Sequence, residues 1–356
     1  MSRQSTTEQV AQRSDRMPAV VNYEPERVEL REVDVPEIDE GGALVRVEAV
    51  GICGSDVHQW HGSHSWDVNY PVTLGHEFGG VIEEIERSDE FAPGDRVVSE
   101  TAAEIDETSP LSRRGLYNLD PSRKGFGYGT DGAMAQYVAV PVRCLHHIPD
   151  DLPFERAALA EPCSVAYNAV CGNADVNPGD SVLVLGPGPI GLLCVQMAAL
   201  AGASTVVVQG VPADQDRLRV AEQLGATHTA TDDPSDLVDD VGDGLGVDTV
   251  IDAAGVSAAF ETAMEAVRPD GHITKVGWGP QPMEYSMDPV VQKAVTVQGS
   301  FSHTWSIWEK VITLLSTGQL DVEPIVDRVA PLEEWRDCFA GMHDRDYIKC
   351  VLTPNA

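Results

Sequence analysis

Lysine is scarce in this chain: only Lys124, Lys275, Lys293, Lys310 and Lys349 occur in 356 residues. Lys and Arg together number 24 against 57 Asp and Glu, a formal net charge of −33. A surface so short of positive charge repels a nucleic-acid duplex or an anionic bilayer, which argues against both as partners. In dilute buffer it also destabilises the compact state by self-repulsion. At about 1 M salt the Debye length falls to roughly 3 Å and the repulsion is screened. The charge points to a halophilic protein.

Other absences narrow the class further. No run reaches about 18 consecutive apolar residues, and the polar residues 1–16 lack the apolar core of a secretory signal, so a cytoplasmic protein is expected. The seven cysteines (Cys53, Cys144, Cys163, Cys171, Cys194, Cys338, Cys350) form no C-x-x-C pair, which speaks against a disulfide framework. Aromatic residues make up only 6%, yet 42% of the chain is hydrophobic, enough to bury proper cores. At this length two domains are expected.

What is present is organised in two rhythms. Residues 1–16 read as a flexible extension. From Met17 come short β-like runs such as ALVRVEAVGI at 43–52 and GGVIEEI at 79–85, barrel-like in pattern, followed by a weakly patterned polar excursion over 100–133. From 181 strand and helix alternate: SVLVLG, a helix over PIGLLCVQMAALAGA, TVVVQG, a helix over DRLRVAEQLGA, then strands at 248–255, 272–277 and 294–301. The α/β class follows, with a doubly wound parallel sheet in the second region. A helix over SIWEKVITLLSTG and short strands complete the chain.

Between the first of these strands and its helix lies Gly186-Pro187-Gly188-Pro189-Ile190-Gly191, a complete G-x-G-x-x-G. The first glycine permits the tight turn, the second admits a pyrophosphate to the backbone, and the third lets helix and strand pack closely. A dinucleotide site is expected there, with Pro189 and Ile190 at the helix start. The second strand ends in Gln209 and Gly210, without the acid that usually binds the ribose 2′-hydroxyl of NAD; Asp214 is the nearest carboxylate, and Arg217 and Arg219 follow. NAD and NADP both remain open as cofactor.

A second group of residues carries metal chemistry. GICGSDVHQW at 51–60 and GHEFGG at 75–80 bring Cys53, His76 and Glu77 into one neighbourhood, the three ligand types that zinc takes from proteins. On a strand His76 and Glu77 would face opposite ways, so a turn at Gly75 is needed to aim both at one ion. Glu161, in LAEPCSV, is a further carboxylate able to close the site. Each residue alone has an ordinary reading as a buried cysteine, a hydrogen-bonded histidine or a surface glutamate; the combination does not.

C53-G-S-D-V-H58, G75-H-E77, G94-D-R-V97, E161-P and GPGPIG together resemble the zinc-dependent medium-chain dehydrogenases, in particular the polyol branch with sorbitol, xylitol and threonine dehydrogenases. The similarity runs in order from about Met17 to the C-terminus, and with the charge it suggests a haloarchaeal member. The resemblance implies a GroES-like catalytic domain made of residues 17–165 and 302–356 with a Rossmann domain, 166–301, inserted between. It implies that Cys53, His76 and Glu77 or Glu161 bind zinc, with one carboxylate acting directly or through water. Ser55 and His58 would pass the substrate proton to solvent, with Glu77 assisting. Alcohol dehydrogenases place a cysteine where Glu161 falls, so Cys163 is an outside candidate. The four cysteines of a structural zinc lobe are missing from 100–130, so one zinc per chain is expected.

The substrate implied is a secondary alcohol, whether polyol, aldose or hydroxy amino acid, with Trp60, His61, Phe126 and Phe301 nominated for the cleft. The resemblance further suggests a homotetramer or homodimer, joined through Rossmann strands such as VTVQGSF. Rival readings are a zinc-free quinone or alkene reductase, which would lack Cys53 and the His76-Glu77 pair, and a non-catalytic dinucleotide sensor, which would need no proton relay. The charge yields a direct test: the thermal unfolding midpoint and the activity both rise between 0.05 and 2 M KCl, whereas identical values at the two concentrations would remove the halophilic reading.

Overall fold

The computed structural model describes residues 14–355 except 175, 235–237, 239–240, 242, 280 and 284. The expected extension, residues 1–16, lies outside the described residues as far as 13, and its last residue is a correction: Arg16 already opens the first strand and bonds Asp34 across the hairpin.

The chain begins with β1 (Arg16–Glu24), β2 (Arg27–Asp34), β3 (Gly42–Gly51), helix α1 (Gly54–Trp60), β4 (Val72–Thr73), β5 (Glu77–Ile85), β6 (Arg96–Ser99), β7 (Tyr137–Pro141) and β8 (Leu145–His147). Two short helices follow, α2 (Phe154–Ala157) and α3 (Ala160–Tyr167), the second running on as a π-turn over Asn168–Asn173. Then come β9 (Ser181–Leu185), α4 (Pro189–Ala201), β10 (Thr205–Gln209), α5 (Gln215–Gln223), β11 (His228–Ala230), β12 (Val247–Asp252), α6 (Ser257–Ala266), β13 (Val267–Lys275), α7 (Asp288–Lys293) and β14 (Thr296–Gly299). The chain closes with α8 (Trp305–Ser316), β15 (Val326–Pro331), α9 (Trp335–His343) and β16 (Lys349–Thr353).

β9 to β14 form one parallel sheet in the order β11-β10-β9-β12-β13-β14. Its central strands are apolar on both faces, as a sheet covered by helices on two sides requires, and SVLVL of β9 is buried throughout. Strand order reverses between β9 and β12, the point where such sheets open a crevice for ligands. The remaining large sheet, β15-β16-β3-β5-β6-β8 with β7 on β3, unites the two chain ends: Val351 and Leu352 of β16 pair with Gly51 and Val50 of β3. Its core holds Val45, Val47, Phe78, Phe339 and Leu352. The GroES-like and Rossmann architecture is thus the α/β fold expected.

The two lobes share an apolar core. Ala160, Cys163 and Ala166 of α3 pack with Leu192 and Val195 of α4 and with Trp308, Val311 and Leu315 of α8. The expected junction at 165/166 therefore falls inside a continuous helical run, and α8, placed beyond the junction at 301/302, packs against the helices of the Rossmann sheet. Burying Trp308 completely contributes about 1.5–3 kcal/mol or more to holding the lobes together.

At the turn from β9 into α4 the approach is closest at Gly191, where a Cβ would lie 1.9 Å from the carbonyl oxygen of Gly186. Gly191→Ala accordingly forces strand and helix apart. We expect it to cost about 1–3 kcal/mol of stability and to weaken dinucleotide binding at least tenfold, read from thermal melts with and without the dinucleotide; a variant that melts and binds like wild type would contradict this packing.

Candidate active site

The sheet register brings the metal-ligand candidates together. Glu77, first residue of β5, pairs with Gly51 at the end of β3, and the chain leaves β3 directly into Cys53, the N-cap of α1. Gly75, at φ +96°, turns the chain before β5, so His76 stands in the turn and escapes the strand alternation that would have aimed it away from Glu77. Ligand atoms of Cys53, His76 and Glu77 all lie within 4.8 Å of one another, close to the span of two zinc–ligand bonds of about 2.0–2.3 Å. Nδ1 of His76 is buried and makes no hydrogen bond, standing 3.7 Å from Oδ1 of Asp56. A thiol, an imidazole and a carboxylate gathered at this spacing fit zinc.

Two neighbours hold this group in place. Asp56 accepts a hydrogen bond of 2.9 Å from the Cys53 backbone amide, which fixes the start of α1. Lys349 reaches up from β16: its Nζ donates to Ile52 O at 2.8 Å and contacts both Glu77 oxygens, at 2.7 and 2.5 Å, in an ion pair excluded from solvent. Burial works against charge on His76, but Asp56, the Cys53 thiol and Glu161 hold it well above the ordinary histidine range. Burial raises the Glu77 carboxyl despite the pull of Lys349. It also opposes the charge on Lys349, which Glu77 outweighs, keeping that ammonium protonated. Neither Asp56 nor Lys349 is among the expected site residues; the second lies 272 residues from its partner, and no local signal marks it.

Glu161 lines the same cleft from α3. Trp308 Nε1–H can only donate, and it does so to Nδ1 of His303 at 2.7 Å. The His303 proton is therefore on Nε2, which donates to Glu161 Oε1 at 3.1 Å. Burial would raise the Glu161 carboxyl, yet this hydrogen bond and the charges around it keep it below its usual range. Cys163 is a correction: it is wholly buried in the core between the lobes, its thiol pushed up by burial, and it stands outside the ligand group.

Ser55 and His58, at i and i+3 on α1, both line the cleft. Nδ1 of His58 lies 3.0 Å from Ser63 Oγ. Burial against the cleft wall, then His343, His61 and His64, lower its pKa below the ordinary value, which favours the neutral, proton-accepting imidazole.

The cleft has a volume of about 1080 Å³, and Gly188, Pro189, Ile190 and Gly191 form its far wall. Gly186 turns the chain at φ +93°, and the face of Gly188 opens onto empty space, a cradle shaped for a pyrophosphate at the start of α4. Gln209 and Gly210 stay outside the lining: the Gln209 amide donates to Asp232 O, and the Gly210 amide to Ala230 O. Arg217 and Arg345 do line the cleft, and both face the buried Asp214, at 3.9 and 3.7 Å. Of the side chains nominated for the substrate, His61 and Phe301 line the cleft. Trp60 and Phe126 do not: Trp60 packs edge-on against Trp335 and Phe339, and Phe126 against Phe78 in the core. The polar excursion supplies Thr101, Asn118, Arg123 and Tyr128 instead. Lacking periodicity, it offered no pattern from which to read them.

Comparison with known proteins places these features in context. Residues 39–150 match the alcohol dehydrogenase GroES-like domain and residues 189–317 the zinc-binding dehydrogenase domain. The chain is 36% identical to a sorbitol dehydrogenase of Halalkalibacterium halodurans, over 87% of this chain and 91% of that protein. It is 33% identical to a D-arabitol-phosphate dehydrogenase of Enterococcus avium, over 91% and 93%. Among solved structures, a Sinorhizobium meliloti protein described as a zinc-binding dehydrogenase and bound to NADP superposes with a TM-score of 0.87 at 30% identity, covering 96% of this chain and all of that one.

The buried ion pair makes a prediction of its own. Lys349→Met leaves the Glu77 carboxylate without its counterion and should cost about 3–5 kcal/mol in urea unfolding, while the double change with Glu77→Gln should cost less than the two single changes together; losses that simply add would mean that the pair is not coupled.

Proposed function

The chain belongs to the zinc-type alcohol dehydrogenases, and from that premise we propose which of its residues carry the reaction and which alcohols it takes. It is an NAD(P)-dependent enzyme that moves hydride from a secondary alcohol to the dinucleotide. The observation that carries this reading is the convergence of Cys53, His76 and Glu77 within 4.8 Å in a cleft whose opposite wall is the Gly186–Gly191 turn. The zinc-free quinone or alkene reductase and the non-catalytic sensor find no support among the relatives.

In our reading Cys53, His76, Glu77 and Glu161 hold the zinc, one per chain. When bound, zinc supplies Lewis acidity to the substrate hydroxyl, and the nicotinamide supplies the hydride acceptor. The residues of the chain position and deprotonate. His303 orients Glu161 through its hydrogen bond, as partners behind metal ligands do, and the Asp56 carboxylate stands beside His76. Ser55 takes the hydroxyl proton, and His58, kept neutral by its surroundings, passes it to solvent at the mouth of the cleft.

Residues 166–301 serve as the dinucleotide-binding unit and 17–165 with 302–356 as the catalytic one, with α8 docked on the former. The alcohol is a polyol, aldose or hydroxy amino acid, in keeping with the substrates named for the relatives. Arg217 and Arg345 on the cleft wall, with Gln209 in place of an acid, leave room for the 2′-phosphate of NADP. β14 is an edge strand whose four residues are all exposed, beside the exposed Val291, and we assign the subunit contact of a dimer or tetramer to it. We read the surplus of acid as a halophilic adaptation and the enzyme as cytoplasmic. Among the described residues no helix is long and apolar enough to cross a membrane.

The test is a panel of polyols, aldoses and L-threonine in high salt with NAD and NADP in parallel. We expect turnover that chelation abolishes and zinc restores, and one zinc per chain by metal analysis. His58→Ala should lower kcat/KM about 10²-fold or more at acidic and neutral pH, as loss of a general base does, and less at alkaline pH, where solvent takes the proton. Two zinc ions per chain, or a pH profile that His58→Ala leaves unmoved, would refute the corresponding assignment.

A further inference from the structure

Arg123 is set apart from the other basic groups of the active-site cleft. It lies half-buried on the wall formed by the polar excursion, in a chain whose acidic residues outnumber its basic ones by 57 to 24. Yet no carboxylate pairs with it among the described residues. Across the same cleft Arg217 and Arg345 both face Asp214, and Lys349 faces Glu77. The nearest acid in sequence, Asp120, directs its Oδ1 to the amide and hydroxyl of Ser122.

Neutral groups hold the guanidinium instead. Its Nη1 donates to Tyr128 Oη at 2.6 Å, and its Nη2 to Thr101 Oγ1 at 2.8 Å and to Ser302 Oγ at 3.5 Å. The carbon at its centre lies 5.4 Å from the centroid of the Phe301 ring. Tyr128 can fold back to meet it because residue 125 is a glycine, where a Cβ would come within 2.3 Å of the phenol oxygen. Of the five guanidinium donors, the buried Nε–H makes no hydrogen bond and one Nη1–H is left over. A fixed, partly desolvated cation with free donors and no counterion is costly unless something negative completes it. Guanidinium donors match the paired oxygens of a carboxylate or phosphate.

We propose that Arg123 is the oxyanion subsite of the substrate pocket, and that the alcohol oxidised here carries a carboxylate or phosphate besides its reacting hydroxyl. The inference rests on the dehydrogenase reading above and narrows its substrate class. Thr101, Tyr128 and Ser302 hold the guanidinium, while the hydroxyl end of the molecule lies toward Cys53 and His76 in the same cleft. Arg123 binds and selects; it takes no part in bond breaking.

Three alcohols that share one carbon chain test it: sorbitol, gluconate with a carboxylate end, and sorbitol 6-phosphate with a phosphate end, each assayed with zinc-loaded wild type and Arg123→Gln. In the wild type, kcat/KM for gluconate or sorbitol 6-phosphate should exceed that for sorbitol at least tenfold, and whichever is preferred identifies the anion. Charge-assisted hydrogen bonds of about 1.5–3 kcal/mol correspond to a fall of roughly 10- to 150-fold in that ratio for Arg123→Gln. Losses that are equal for all three alcohols, sorbitol as the best substrate, or a raised dinucleotide KM with an unchanged ratio would each overturn the proposal. If none of the three is turned over, titration calorimetry of the same compounds into both proteins decides: tighter binding of an anionic member that Arg123→Gln removes supports the subsite, and equal heats from both proteins reject it. Lack of turnover with that binding intact would count against the dehydrogenase reading alone.

Discussion

The ammonium group of Lys349 lies beneath the metal-ligand group and joins the two ends of the chain. It arrives on the C-terminal strand, bonds the Ile52 carbonyl just ahead of Cys53, and neutralises Glu77, which begins the strand after His76. Without it a buried carboxylate would stand close to Glu161, and two like charges in so dry a place repel each other. With it, the Glu77 carboxylate stands beside Cys53 and His76 with its charge offset. The pairing of β16 with β3 is what delivers this lysine, so the catalytic sheet and the electrostatics of the site form together.

A second chain of contacts ties the site to the other lobe. Trp308 on α8 sets the tautomer of His303, and His303 in turn holds Glu161 on α3. Both helices pack in the core that joins the catalytic sheet to the Rossmann sheet. One wall of the cleft is therefore anchored in the same apolar contacts that fix the distance to the opposite wall. Hydride transfer needs its two partners within van der Waals reach, and a shared core is a direct way to hold two lobes at that spacing.

The cleft also shows how a strongly acidic chain keeps cations where chemistry uses them. Lys349, Arg217, Arg345 and Arg123 all face inward, while the surplus of acid is spread over the rest of the molecule. Three of the four meet a carboxylate, Arg217 and Arg345 sharing Asp214 and Lys349 facing Glu77. The fourth is held by hydroxyls and an aromatic ring, and for that reason it stands out.

The glycine turn, the Cys53, His76 and Glu77 group, and the alternation of strand and helix were legible in the sequence because each is a local pattern. Backbone hydrogen bonding has a fixed period, a phosphate loop needs its glycines at set intervals, and ligands near one another along the chain leave a motif. Lys349, His303 and Arg123 left none, because their partners lie on other elements of the fold. Trp60 and Phe126 misled for the same reason: composition shows an aromatic residue, but only packing decides whether it meets the core or the cleft. By itself the sequence determined the family, the cofactor class and a group of neighbouring residues able to hold a metal. Tertiary structure alone decided which charges are paired and which cation is left free to receive a substrate, since that depends on distances across the sheet that no spacing along the chain encodes.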